Sequence, residues 1–203
     1  MALWLSQRIV LAFSHDDPSL TDSQPYILMH SGNTFGTGTH PTTRICLAML
    51  ERVLREGHSV LDLGTGTGIL AICAARLLAK PVVAIDHDFA ACTIAMQNIM
   101  NNGLRTTTRL INGRLDALSD RTRFDIALAN LELHTLIQVV PLLKAHLNPN
   151  GFLVTSGVQT TAQTDLSNIL VDSGLIPLSS LTEGEWVGFL ASPAKGKSFE
   201  ENS

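Results

Sequence analysis

From Ser59 onward, short apolar runs alternate with longer apolar-faced stretches. Ser59–Leu63 has strand length, and Thr67–Ala79 reads as an apolar helix. Pro81–Ile85 is a second strand, and Phe89–Met100 a helix closed by Asn101-Asn102-Gly103. Arg105–Ile111 is rich in β-formers, and Phe124–Ala129 reads as a buried strand. Leu133–Leu147 is helical, with Pro141 expected to kink or split it. Asn148-Pro149-Asn150-Gly151 reads as a turn, Phe152–Ser156 as a strand, and Thr161–Ser173 as a helix stopped by Gly174. Leu175–Leu190 predicts two strands around Glu183-Gly184. Upstream, His40–Gly57 predicts a helix with Pro41 in its first turn.

Strand–helix alternation on this scale predicts an α/β fold: a doubly wound, mostly parallel, Rossmann-like sheet with right-handed crossovers and helices on both faces. The closing strand pair breaks the alternation and predicts an antiparallel last strand. Residues 14–25 are polar and read as a loop; 1–13 read as an edge element of the fold, since Arg8 interrupts the apolar run and no basic region precedes it. The expected division is an N-terminal extension over 1–33, the main domain over 34–193 and a frayed tail over 194–203.

Composition narrows the function classes. The 203 residues are 45% hydrophobic and 16% charged, enough for a sizeable core. The net charge of -4 argues against a general nucleic-acid binder. No apolar run approaches the roughly 20 residues of a membrane span. Three scattered cysteines, Cys46, Cys73 and Cys92, give neither a metal spacing nor a disulfide framework. A reducing, cytoplasmic setting is expected, with no metal and no membrane partner.

The strongest local signal is Val60-Leu61-Asp62-Leu63-Gly64-Thr65-Gly66-Thr67-Gly68, which joins a strand to a helix. Glycines at this junction let the chain turn sharply and let a ligand approach the backbone. Asp86 follows Gly64 by 22 residues at the next strand's end, where a carboxylate can accept from both hydroxyls of a ribose. The dinucleotide fingerprint is G-x-G-x-x-G; here Asp62 precedes a G-x-G-x-G loop. A carboxylate beside the loop disfavours a pyrophosphate and suits a cationic ligand. S-adenosylmethionine, with an ammonium, a sulfonium and a ribose but no phosphate, is therefore favoured over a nicotinamide dinucleotide. Gly64, Gly66, Gly68, Asp62 and Asp86 are the cofactor candidates.

Other residues carry structural readings, most of them beside a functional one. Asn130, at the end of a buried strand, either accepts from an incoming amine, holds the cofactor's amino acid part, or caps a turn. Glu132 either attracts a cationic amine or complements a helix start. His134 is a surface or first-turn histidine, with catalysis the lesser reading. His40 is a packed loop histidine or a pocket wall. Thr43 either caps a helix or holds a carboxylate with its hydroxyl and amide. Asp88 reads as a helix cap. Phe35 and Trp186 either line the site or belong to the core, and the cysteines read as packing.

A longer segment, Phe35-Gly36-Thr37-Gly38-Thr39-His40-Pro41-Thr42-Thr43, resembles the signature of the PrmA family, methyltransferases of ribosomal protein L11. The likeness continues through Leu61–Ile72, Ala84–Asp88, Asn98–Leu104 and Ala129-Asn130-Leu131, with Glu185-Trp186 like the family's final strand. It covers about residues 34–190. The resemblance implies a seven-stranded methyltransferase sheet, and Thr43, Gly64, Asp86 and Asn130 as S-adenosylmethionine contacts. It implies methylation of protein amino groups, at lysine side chains or an α-amine, and hence a protein acceptor, possibly ribosomal. Longer members carry an N-terminal recruitment domain, whereas about 33 residues precede the signature here. The family continues Ile-Leu-Ala-Gly-Pro after the asparagine; this chain has Leu131-Glu132-Leu133-His134-Thr135. A small-molecule acceptor and a non-catalytic S-adenosylmethionine-binding module are the alternatives.

Overall fold

The computed structural model describes residues 3–12, 25–29 and 38–193. The expected loop over 14–24, Phe35 with the start of its motif, and the tail lie outside these. The chain begins with three short strands, β1 (Leu3–Trp4), β2 (Val10–Ala12) and β3 (Tyr26–Leu28). They form a sheet of their own, antiparallel between β1 and β2 and parallel between β2 and β3. The leading segment is thus part of the fold, but it does not edge the main sheet. Ile9, Leu11 and Ile27 are fully buried. The Asn102 carboxamide substitutes for a neighbouring strand: it accepts from Leu28 N (2.9 Å) and donates to Leu28 O (2.7 Å).

Helix α1 (Pro41–Val53) follows, then β4 (Val60–Leu63), α2 (Ile69–Arg76), β5 (Val82–Asp86), α3 (Phe89–Asn101), β6 (Thr108–Asn112) and β7 (Phe124–Asn130). The remainder is α4 (Leu133–Ala145), β8 (Leu147–Gln159), α5 (Gln163–Asp172), β9 (Ile176–Glu183) and β10 (Trp186–Ser192). The main sheet has seven strands in the order β6-β5-β4-β7-β8-β10-β9. Strand β10 enters antiparallel between β8 and β9, as the closing pair of apolar runs predicted.

Alternation along each strand divides the core between two faces. Ile126, Leu128 and Val154 join α1 and α2 in one cluster, which also takes in Leu5, Ile9, Leu11 and Ile27 from the small sheet. Ala127, Ala129 and Leu153 join Leu136, Val140 and Leu143 of α4 and Leu166 and Leu170 of α5 in the other. The three cysteines are buried and free. Burial pushes the Cys46 and Cys73 thiols far above their ordinary range, so they serve as packing groups.

Two local expectations change. Pro141 neither splits α4 nor ends it: one helix runs from Leu133 to Ala145. The Asn148–Gly151 turn does not precede the strand but lies within it, looped out of β8. Phe124 pairs with Leu147, whereas Ile126 pairs with Phe152. Asp125 fastens this bulge. It accepts from Asn148 Nδ2 (2.7 Å), Ser59 N (2.9 Å) and Ser59 Oγ (2.8 Å). Partial burial raises its carboxyl, but these hydrogen bonds outweigh burial and hold it below the ordinary value.

Candidate functional site

The strand order reverses between β4 and β7. The chain moves outward from β4 through β5 to β6, then returns to β7 on β4's other side. Open α/β sheets bind ligands at the carboxyl ends of strands beside such a reversal. Leu63 pairs with Ile85 on one side and Ala129 on the other. Gly64, Asp86 and Asn130 therefore follow one another across adjacent strand ends. The fold brings these three sequence candidates to one edge.

The loop after β4 is held from both sides. Gly64 N and Thr65 N donate to Ile85 O (2.8 and 3.1 Å). Gly64 has φ +72°, and a Cβ there would lie 2.4 Å from Leu131 Cδ2. Only glycine combines that backbone with that approach.

The two carboxylates behave differently. Asp62 is 1% exposed, and its Oδ2 alone accepts both Thr65 Oγ1 (2.6 Å) and Ala71 N (3.1 Å). Burial, aided by the charge of Asp86, pushes its carboxyl up to about 6 against those two hydrogen bonds. Asp62 therefore braces the loop from beneath, and it supplies negative charge without presenting an open face. Asp86 is 8% exposed and uses both oxygens: Oδ2 accepts Gly66 N (2.9 Å), and Oδ1 accepts Asp88 N (3.0 Å). Each oxygen keeps a further lone pair. Gly66 is thus an orienting donor to Asp86, and Gly68 precedes α2 in a left-handed conformation. Asp88 caps α3 through Ala90 N (2.8 Å), as its position predicted.

Asn130 ends β7. Its Nδ2 donates to Thr42 Oγ1 (3.2 Å), while its Oδ1 is buried with no hydrogen-bond partner among the described residues. Thr42, which sequence reasoning passed over for its neighbour, is fully buried. Its Oγ1 lies 2.8 Å from His40 Nδ1, and its amide donates to the same nitrogen (3.3 Å).

Thr43 is buried in the first turn of α1, and its amide donates to His40 O (3.0 Å). Arg44 N donates to the same carbonyl (3.3 Å). The His40 carbonyl thus occupies the first-turn amides of Thr43 and Arg44, so of the two Thr43 groups expected to hold a ligand carboxylate the amide is already engaged.

His40 packs edge-on against Trp186, with ring centroids 4.9 Å apart and planes at 67°. Arg44 pairs with Glu183, tying α1 to the β9–β10 hairpin. Glu132 and His134 pair with each other at 3.3 Å on the surface, with side chains 80% and 73% exposed. Gly157 is a further residue without a sequence signal of its own. It has φ +92°, and a Cβ there would lie 2.5 Å from Leu131 O. Leu131 is thus clamped between two glycines, next to Asn130. Among the described residues no group of His, Cys, Asp and Glu has the geometry of a metal site. No described helix is long and apolar enough to cross a membrane.

The family model for ribosomal protein L11 methyltransferase (PrmA) matches residues 3–193. The match includes the small N-terminal sheet, ahead of the segment that carries the sequence resemblance. A ribosomal protein L11 methyltransferase of Chloroflexus aurantiacus is 36% identical over 201 residues, covering 85% of this chain and 61% of the relative. One from Desulforamulus reducens is 32% identical, covering 92% of this chain and 60% of the relative. The chain thus spans about 60% of the length of these relatives. A crystal structure of ribosomal protein L11 methylase from Lactobacillus delbrueckii subsp. bulgaricus superposes with a TM-score of 0.85 at 30% identity, covering 94% of this chain and 97% of that one. With the strand order, the glycine loop and the asparagine at the β7 edge in place, this chain belongs to the ribosomal protein L11 methyltransferase (PrmA) family.

Proposed function

We propose that this chain binds S-adenosylmethionine at the edge formed by β4, β5 and β7 and transfers its methyl group to a protein amine. A lysine side chain or α-amine of a ribosomal protein is the first acceptor to test, since the relatives are named for ribosomal protein L11. The observation that carries this reading is the Asn130 carbonyl oxygen, buried beside the glycine loop and without a hydrogen-bond partner among the described residues. A buried acceptor left unsatisfied costs about 1–3 kcal/mol, so a ligand N–H placed there is strongly favoured.

The residues present fit the cofactor. The two free lone pairs of Asp86 suit the two hydroxyls of a ribose. Asp62 and Asp86 place negative charge where a sulfonium and an ammonium are stabilised and a pyrophosphate is not. Gly64, Gly66 and Gly68 supply the left-handed turn of the loop beside these carboxylates, and the Thr43 hydroxyl is the α1 group assigned to the cofactor's carboxylate. When bound, the cofactor supplies a methyl group on positively charged sulfur. The protein's part is alignment and exclusion of water. An amine attacks only when neutral, and lysine begins near 10.4. An apolar surround favours the neutral form. Asn130 Oδ1 then accepts one amine N–H and directs the nitrogen lone pair away from itself, with no dedicated base required.

Two measurements test the proposal. Calorimetry should detect both S-adenosylmethionine and its demethylated product. Incubating the protein with labelled cofactor and a lysate, followed by mass spectrometry, should place label on lysines or N-termini of a ribosomal protein. Label confined to small molecules would refute the acceptor class. Uptake of a nicotinamide dinucleotide with neither methyl donor nor product bound would refute the cofactor.

A further inference from the structure

We infer that Thr42, fixed by His40, decides which end of the Asn130 carboxamide faces the methyl acceptor. The geometry stands by itself; its catalytic meaning rests on the proposed methyl transfer. Within this cluster the Thr42 backbone N–H can only donate. The Thr42 amide points its hydrogen at His40 Nδ1 (3.3 Å), so Nδ1 carries a lone pair. The Thr42 hydroxyl, 2.8 Å from the same nitrogen, must then donate to it as well. A hydroxyl has one hydrogen. With that hydrogen given to His40, Thr42 Oγ1 can only accept from Asn130. Asn130 must therefore turn its NH2 toward Thr42 (3.2 Å) and its carbonyl oxygen away. The unpartnered Oδ1 is the direct consequence.

The orientation matters because the two ends of a carboxamide act oppositely on an amine. A carbonyl oxygen accepts an N–H and leaves the nitrogen lone pair free to attack. An NH2 in the same place donates to that lone pair and occupies it. Thr42 is fully buried and does not need to touch the amine. It is a positioning residue. Thr43, with its amide committed to His40 O, makes no hydrogen bond to Asn130 among the described residues and does not share this role.

The experiment compares Thr42→Val, which keeps the shape and removes the hydroxyl, with Thr42→Ser, which restores it. In the valine variant kcat should fall about tenfold while the cofactor Kd stays within twofold. The Asn130 carboxamide resonances, assigned by their loss in Asn130→Ala, should shift. Serine should return both readouts to wild-type values. A valine variant with unchanged kcat and unmoved carboxamide resonances overturns the inference. If the valine variant does not fold, long-range proton–nitrogen spectra of the wild-type protein decide: His40 Nδ1 must appear unprotonated, and a protonated Nδ1 overturns the relay. A wild-type protein that transfers no methyl group refutes the proposed function instead, and the spectra still judge the relay separately.

Discussion

Asp62 and Asp86 differ in how many oxygens they use, and isosteric substitution exposes the difference. At Asp62 both donors converge on one oxygen, Oδ2. Asp62→Asn can place its carbonyl oxygen there and satisfy Thr65 and Ala71 together. It also removes a buried charge, so the variant should be at least as stable as the wild type at neutral pH. At Asp86 each oxygen accepts a different amide, Gly66 N and Asp88 N. Either orientation of Asp86→Asn sets an NH2 against a backbone N–H. One amide loses its acceptor, at about 1–3 kcal/mol. The ribose contact loses a charged acceptor, worth roughly 1.5–3 kcal/mol. Since about 1.4 kcal/mol is tenfold in affinity, S-adenosylmethionine binding should weaken by roughly 10- to 100-fold at Asp86→Asn. Calorimetry with cofactor and demethylated product gives the affinities, and hydrogen exchange at Gly66 reports the lost acceptor. An Asp86→Asn protein that binds within twofold of wild type, with Gly66 exchange unchanged, would refute both the ribose assignment and the loop argument.

The remaining predictions concern pH, backbone clearance and the exposed pair. Asp62 has a folded value near 6 against 3.8 for the free group, so the folded state holds its proton more tightly between those values. Its contribution to stability falls as pH rises through that window, by roughly 3 kcal/mol at most. Urea titrations of wild type and Asp62→Asn from pH 4 to 7.5 should diverge in the variant's favour as pH rises; parallel curves would sink this. Gly157→Ala meets main-chain atoms of Leu131 and a left-handed φ, and should cost about 2–4 kcal/mol. It should also lower kcat through displacement of Asn130, as denaturant melts and turnover assays will register. The Glu132–His134 pair is exposed at 80% and 73% of its side chains, so His134→Ala should change stability by no more than about 0.5 kcal/mol. A larger loss in the melting curve would show that the pair is more than a surface contact.

Much of this molecule was legible because local signals and global architecture agree. All seven main strands were legible, the central ones as apolar runs buried on both faces and Arg105–Ile111 through its β-formers. The glycine loop and Asp86 were readable from spacing alone, because a turn between strand and helix requires particular residues at particular offsets. The Asn148–Gly151 turn was legible too, but not its place within β8. Its Pro-Asn-Gly composition signals a turn, and only pairing with β7 on both sides shows that the strand resumes. The three-stranded sheet could not be foreseen either, because its partners are short and one of its neighbours is the side chain of Asn102, which caps α3.

The sequence by itself determined the alternating α/β plan, the antiparallel closing strand and the set of residues at the carboxyl edge. It did so because backbone turns and two-faced burial constrain residue type position by position. The tertiary structure alone decided which oxygen of Asp62 is occupied, that Thr42 and not Thr43 reaches Asn130, and that Leu131 is clamped between Gly64 and Gly157. Those facts are hydrogen-bond directions and van der Waals clearances between segments up to 88 residues apart. No local pattern encodes them, since neighbours in space acquire their relation only when the sheet closes.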